Sequence, residues 1–407
     1  MASNDGRTAA PDSFAARWWY RNAPLALVLA AITAAAPFPA QAQDDHPALE
    51  PPRFLGERSC SSSSCHGGAG TNRDQYIVWS KYDFHHSRPY ATLETARAEH
   101  ITATLKLGDP TRSAACTVCH APFQAVPEAE LAKGVAQNQG VSCESCHGRA
   151  ERWLRGHTRR DWTHENRIHA GMRDLNDLYV RANTCVACHQ TLAPSIRQAG
   201  HPELLFELDG QAVSQPRHWR IAEEKPAPQI WLVGQAVALR EMSWQLAREK
   251  VADSSLTDSW AGLTWLLQLA AGADSRLPAL DLDSVAPTPE RLDAVQKWSN
   301  RFAQTAAGLR WPEESTRKCL ALLTKSSGTF NNPAISRPIL ARRAERLVLA
   351  LDRLVQGLGK SAADPARDRA LNRLFDDVES LPDFDPKQFA KDLEQLHASA
   401  SGILGSN

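Results

Sequence analysis

The chain has 407 residues, and its 46 lysines and arginines balance its 46 aspartates and glutamates. A formal charge of zero leaves no basic excess of the kind that marks a nucleic-acid binder, and the length allows one large domain or two. Nine cysteines and fourteen histidines, against three methionines, are the unusual part of the composition.

Residues 1–42 read as an export signal. Arg17 and Arg21 form a positive start, an apolar run extends from Ala23 to Pro37, and Ala40-Gln41-Ala42 supplies an A-x-A cleavage site. The run is short for a spanning helix, and an uncleaved anchor is the competing reading. The expected location is periplasmic, with cleavage near Ala42.

Residues 43–220 hold four cysteine pairs, each followed at once by a histidine. They are Cys60 and Cys65 with His66, Cys116 and Cys119 with His120, Cys143 and Cys146 with His147, and Cys185 and Cys188 with His189. The last three are C-x-x-C-H, the spacing of c-type haem attachment. The first has four serines between its cysteines. In such a motif the two thiols bond to the porphyrin vinyl groups and the histidine binds iron. Zinc sites also use C-x-x-C pairs, and disulfides suit an exported chain, but neither explains a histidine after every second cysteine. The expectation is four covalently bound haem c groups. Export supports it, since bacteria attach c-type haem outside the cytoplasm. Motif spacing is irregular, so the region is no simple repeat; short helices joined by loops are expected, with haem supplying much of the core.

Each motif histidine fills one axial position, and the opposite face needs histidine, methionine or nothing. Outside the motifs stand His46, His85, His86, His100, His157, His164, His169, His201, His218 and His397, whereas Met172 is the only methionine in the haem region. Histidine is therefore the default sixth ligand, which predicts low potentials. His157 follows the third motif and His201 the fourth closely, and His85 and His86 both follow the first at a longer spacing. Such tethers suit a ligand to the same haem or to a neighbouring one. An arginine-rich stretch, Arg149, Arg152, Arg155, Arg159, Arg160, Arg167 and Arg173, divides between partners for haem propionates and a solvated face.

The chain changes character between Pro216 and Pro228. Residues 221–407 contain no haem motif and show repeated helix starts at Thr288-Pro289, Asp364-Pro365 and Asp385-Pro386. Leu347, Leu351, Leu354 and Leu358 recur at helical spacing. Helices are predicted near 229–250, 289–308, 338–357, 365–379 and 386–399, with shorter ones between. Trp231, Trp244, Trp260, Trp265 and Trp298 are predicted to pack the core. Cys319, in an apolar stretch, reads as an inert buried thiol.

The string from Gly140 to Gly148, then Ala150-Glu-Arg-Trp-Leu154 and His157-Thr158, resembles bacterial multihaem cytochromes c. The relevant family is that of the tetrahaem cytochrome c-554, the electron acceptor of hydroxylamine oxidoreductase. Ala199-Gly-His201-Pro202, His86-Ser-Arg88 with Tyr90, and a first motif with extra residues after Gly56 also fit it. The resemblance spans roughly residues 53–220. It implies that His86, His157 and His201 are distal ligands. Relatives often carry a further Cys-x-x-Cys-His where this chain has Trp260 to Leu267, and an Asn-His-Asp segment where it has Ala193 to Gln198. Three distal histidines thus carry over for four haems. Either one haem is five-coordinate, or His85, His100, His164, His169 or His218 fills the gap.

The expected fold is mainly α, a multihaem cytochrome c domain with short helices and long loops followed by an all-α helical bundle. The expected function is electron transfer with periplasmic or membrane-bound redox proteins, through mostly bis-histidine haems. Two alternatives stand beside it: a haem enzyme of nitrogen-oxide or hydroxylamine chemistry at an open haem, and a docking subunit of a larger redox complex.

Overall fold

Local capping chemistry sets where most helices begin. The computed structural model describes residues 51–70, 73–220, 225–249, 253–281, 286–359 and 364–404. The export signal and cleavage site expected within residues 1–42 lie outside the described residues. The fold is mainly α, and among the described residues β-pairing is limited to one isolated bridge between Phe54 and Leu131.

The haem-motif region is built from short helices: α1 Gln75–Tyr82, α2 Phe84–Ser87, α3 Ala96–Leu105, α4 Ala114–His120, α5 Cys143–His147, α6 His164–His169, α7 Leu178–His189, α8 Pro194–Gln198 and α9 Leu208–Ser214. Ser145 Oγ accepts from the Ser142 backbone N–H at 3.2 Å at the start of α5, so the third motif is wound into helix with help from its own neighbours. Asp177 caps α7, whose last turn carries Cys185, Cys188 and His189. Glu144 ties this region together. It is fully buried and accepts hydrogen bonds from the backbone N–H groups of Leu55, Gly56 and Ala150, at 2.9, 2.6 and 2.7 Å. Gly140 is needed for packing, because a Cβ there would lie 2.5 Å from the His86 carbonyl oxygen.

The later helices are longer: α10 Ala227–Leu246, α11 Ser254–Ala271, α12 Pro289–Gly308, α13 Glu313–Thr324, α14 Arg337–Gly357, α15 Pro365–Asp377 and α16 Pro386–Ala400. The caps Thr288, Asp364 and Asp385 sit where the sequence placed them. The 18-residue α11 is longer than the short connecting helices foreseen there. Its apolar residues spread around the helix because it is packed on several sides, and this blurs the one-faced pattern that reveals an amphipathic helix. Trp231, Trp260 and Trp298 are fully buried, and Trp260 donates to Ser243 Oγ at 2.9 Å. Cys319 is sealed, and burial pushes its thiol up to about 12, as an inert thiol requires.

The two regions share one core. Leu178, Ala182 and Val186 of α7, with Phe206 and Leu208, belong to the same buried cluster as Trp231, Trp260 and Trp298. Gly234 lets α10 approach closely, since a Cβ there would come within 2.7 Å of Leu208. Arg346 to Glu207 and Arg353 to Asp209 add ion pairs across the same boundary. The fourth motif is therefore mounted on a helix that the bundle holds.

Candidate functional site

None of the eight motif cysteines is in a disulfide. They fall into neighbouring sets. Cys60 of the first motif lies beside Cys143 of the third, and Cys119 of the second beside Cys188 of the fourth. Cys146 of the third lies close enough to Cys185 and Cys188 of the fourth for their charges to interact. The attachment points thus run in the spatial order first, third, fourth, second, which the irregular linear spacing conceals. Burial pushes Cys146 up to about 11 and Cys185 up to about 12. Among the described residues no three His, Cys, Asp or Glu side chains converge as a metal cluster.

The histidines meet in pairs. The ring centroids of His66 and His157 are 6.1 Å apart, those of His86 and His189 also 6.1 Å, and those of His120 and His201 6.4 Å. Two metal–nitrogen bonds of about 2 Å in line, plus half a ring width at each end, give about 6 Å. The spacing therefore fits a pair of imidazoles on opposite faces of one iron. Each of the three histidines singled out from sequence is paired, and none pairs with the motif it follows. His157 follows the third motif and meets the first, His201 follows the fourth and meets the second, and His86 follows the first and meets the fourth.

A ligating imidazole usually donates its second N–H to an acceptor, which fixes the ring and leaves Nε2 for the metal. The pairs show this arrangement. Nδ1 of His66 lies 2.8 Å from Gln75 Oε1, His157 donates to the Leu154 carbonyl at 2.5 Å, and His120 to the Pro89 carbonyl at 3.0 Å. His201 Nδ1 is 2.8 Å from the Pro202 carbonyl. His86 Nδ1 sits 2.9 Å from Asp83 Oδ2, and Gln215 donates to the same oxygen at 3.0 Å. Burial pushes the Asp83 carboxyl up, but these bonds outweigh it and hold Asp83 below its ordinary range. His189 Nδ1 faces Gln211 Nε2 at 3.2 Å while the buried Gln211 Oε1 lacks a partner. Turning that amide gives His189 its acceptor.

Burial favours the neutral, metal-binding form at four of the rings, His120, His147, His157 and His189. Burial pushes His189 down to about 4, helped by His86 and His85. It does the same to His147, with His218 and Arg173 as the next contributions. Arg173 closes the third motif by donating to the Ser145 and Cys146 carbonyls at 2.8 and 2.9 Å. Two other arginines of that stretch meet carboxylates of the chain. Arg149 pairs with Glu130 and covers the Phe54 ring, whereas Arg159 pairs with Asp161 in solvent. Sequence reasoning passed over the anchoring groups Gln75, Asp83 and Gln211. Only Asp83 left a signal, three residues before His86 on one turn.

Attachment motifs with imidazoles arranged this way define a c-type cytochrome, a protein of electron transfer that carries covalently bound haem c. Residues 59–148 match the family model described as cytochrome c554 and c-prime, and over that stretch the chain is cytochrome c554-like. The match takes in the first three motifs and His86; the fourth motif, His157 and His201 lie beyond it, so it is narrower than the resemblance read from the sequence. No curated protein and no solved structure matches the chain.

Proposed function

We propose that the chain is a periplasmic tetrahaem cytochrome that carries electrons between redox proteins through mostly bis-histidine haems. The observation that carries this reading is the set of three cross-motif imidazole pairs at 6.1 to 6.4 Å. In it, Cys60 and Cys65, Cys116 and Cys119, Cys143 and Cys146, and Cys185 and Cys188 anchor haem through thioethers. His66, His120, His147 and His189 are the proximal ligands, with His157 opposite His66, His201 opposite His120 and His86 opposite His189. Haem, when bound, supplies a one-electron Fe(III)/Fe(II) couple. The chain's own residues orient the ligands and set the attachment points in the order first, third, fourth, second, a route for electrons across the molecule. The haem-bearing region spans residues 43–220 and the helical region follows it. Donors and acceptors are periplasmic or membrane-bound redox proteins; among the described residues no helix is long and apolar enough to cross a membrane.

One observation favours a second reading. Among the described residues His147 stands in no imidazole pair of the spacing seen at the other three motifs. An open third haem would make the protein a candidate enzyme of nitrogen-oxide or hydroxylamine chemistry. Purification from the periplasm, with haem counted by pyridine haemochrome and intact mass, tests the main proposal. Four haems are expected, three would mean that the Cys60–Cys65 motif is unused, and none would end the cytochrome reading.

A further inference from the structure

The geometry points to His218 as the distal ligand of the third haem, opposite His147, so that all four irons are closed in the resting protein. This rests on the tetrahaem reading above and deepens it at the one position that reading leaves open.

Three observations converge on His218. First, His218 carries the anchoring bond of the six paired histidines: Nδ1 lies 3.2 Å from the Pro216 carbonyl, with Nε2 left for another partner. Secondly, its location is right. His218 lies close enough to His147 for their charges to interact. His218 itself lies among Asp83, His86 and His66, inside the ring of ligands. Thirdly, among the described residues the other unassigned histidines of the region lack these properties. His85, His100 and His169 are exposed on the surface, and His164, also exposed, turns its Nε2 to Asp174 at 2.9 Å.

The chain around His218 is suited to bringing a ring onto the haem from outside. His218 follows α9, whose Gln211 faces His189, and Gln215, whose side chain reaches Asp83 beneath His86. The same short segment thus steadies both ligands of the fourth site before it delivers His218. Trp219 packs edge-on against the His218 ring, with centroids 5.1 Å apart, and limits its rotation. The third and fourth attachment points are neighbours, so one segment can reach both.

The experiment uses the haem-loaded protein. Wild type, His218→Ala and His218→Met are purified, and haem is counted in each. Electron paramagnetic resonance is recorded on the oxidised form and carbon monoxide uptake on the reduced form. The expected wild-type result is low-spin signals alone and no carbon monoxide bound. His218→Ala should retain four haems, gain one high-spin haem and bind one carbon monoxide per chain. His218→Met should stay low-spin and show a raised potential at one haem, because methionine ligation raises it; it decides the matter if the alanine variant does not assemble. A wild type that already contains one high-spin haem, unchanged in both variants, overturns the assignment. So does an alanine variant that stays wholly low-spin. Either result leaves a four-haem count standing, whereas a count of zero removes the tetrahaem reading itself.

Discussion

The haem-motif region and the helical bundle after it solve the same problem in opposite ways. The bundle encloses large side chains: Trp231, Trp260, Trp298, Phe302, Phe330 and Phe389 are all essentially inaccessible to solvent. Before residue 177 the large buried side chains are few, chiefly Phe54, Phe123 and Trp153, and the helices run from four to ten residues. Its contacts are instead hydrogen bonds to Glu144, to Arg173 and to the imidazole Nδ1 atoms. Helices this short are marginal in water without tertiary support. A protein can thus delegate one part of its core to a cofactor, provided another part is self-sufficient and grips it.

The strongest way to break this contrast is to withhold haem. Expressed without the attachment machinery, the chain should lose amide-exchange protection through α1 to α6 while α10 to α14 stay protected; uniform protection, or uniform loss, would show that the two regions do not differ in this way. Next in size is a cut into the bundle. Leu347 is wholly buried in α14, and Leu347→Ala should cost about 2–5 kcal/mol from lost burial and the cavity left behind. Chemical denaturation followed by far-ultraviolet circular dichroism measures it, and the haem spectrum should be unchanged below the transition.

A smaller effect is expected within the haem region. Glu144→Ala strands the backbone donors of Leu55, Gly56 and Ala150, and should cost about 1–3 kcal/mol. If haem carried that region alone, the same denaturation curve would not move.

The smallest effect concerns pH at the seam between the regions. Burial raises Glu207 to about 7, against the partly compensating charge of Arg346, with Asp209 raising it further. The folded protein therefore holds a proton that the unfolded chain releases from about pH 4.5 upward. Stability from this group is fully present below the unfolded value and declines as pH rises toward 7. Glu207→Gln should flatten that slope in melting temperature between pH 5 and about 7. An unchanged slope would place the proton elsewhere.

Local chemistry was legible throughout. Thr288, Asp364 and Asp385 announced their helices because a cap acts on the two or three residues beside it. The helix Pro289–Gly308 matches its predicted bounds, while the first bundle helix ends at Leu246. The α11 helix was underestimated because tertiary burial on several sides erases the periodicity that sequence reading depends on. Nothing in the arginine stretch singled out Arg173, and only the fold shows that it grips the third motif.

By itself the sequence determined the chemistry of attachment, since two thiols and a histidine close together in the chain are sufficient to specify it. The family resemblance pointed to His86, His157 and His201, and the ring of each lies beside a motif histidine. Only the tertiary structure decided who meets whom: residues 66 and 157, 86 and 189, and 120 and 201 are far apart in the chain, and their pairing depends on how the helices carrying them pack. For the same reason the order of attachment points, the core shared by α7 with the bundle, and the placing of His218 beside His147 belong to the fold. A covalent motif is local, whereas an axial pair is a contact across the chain, and packing is what sets such contacts.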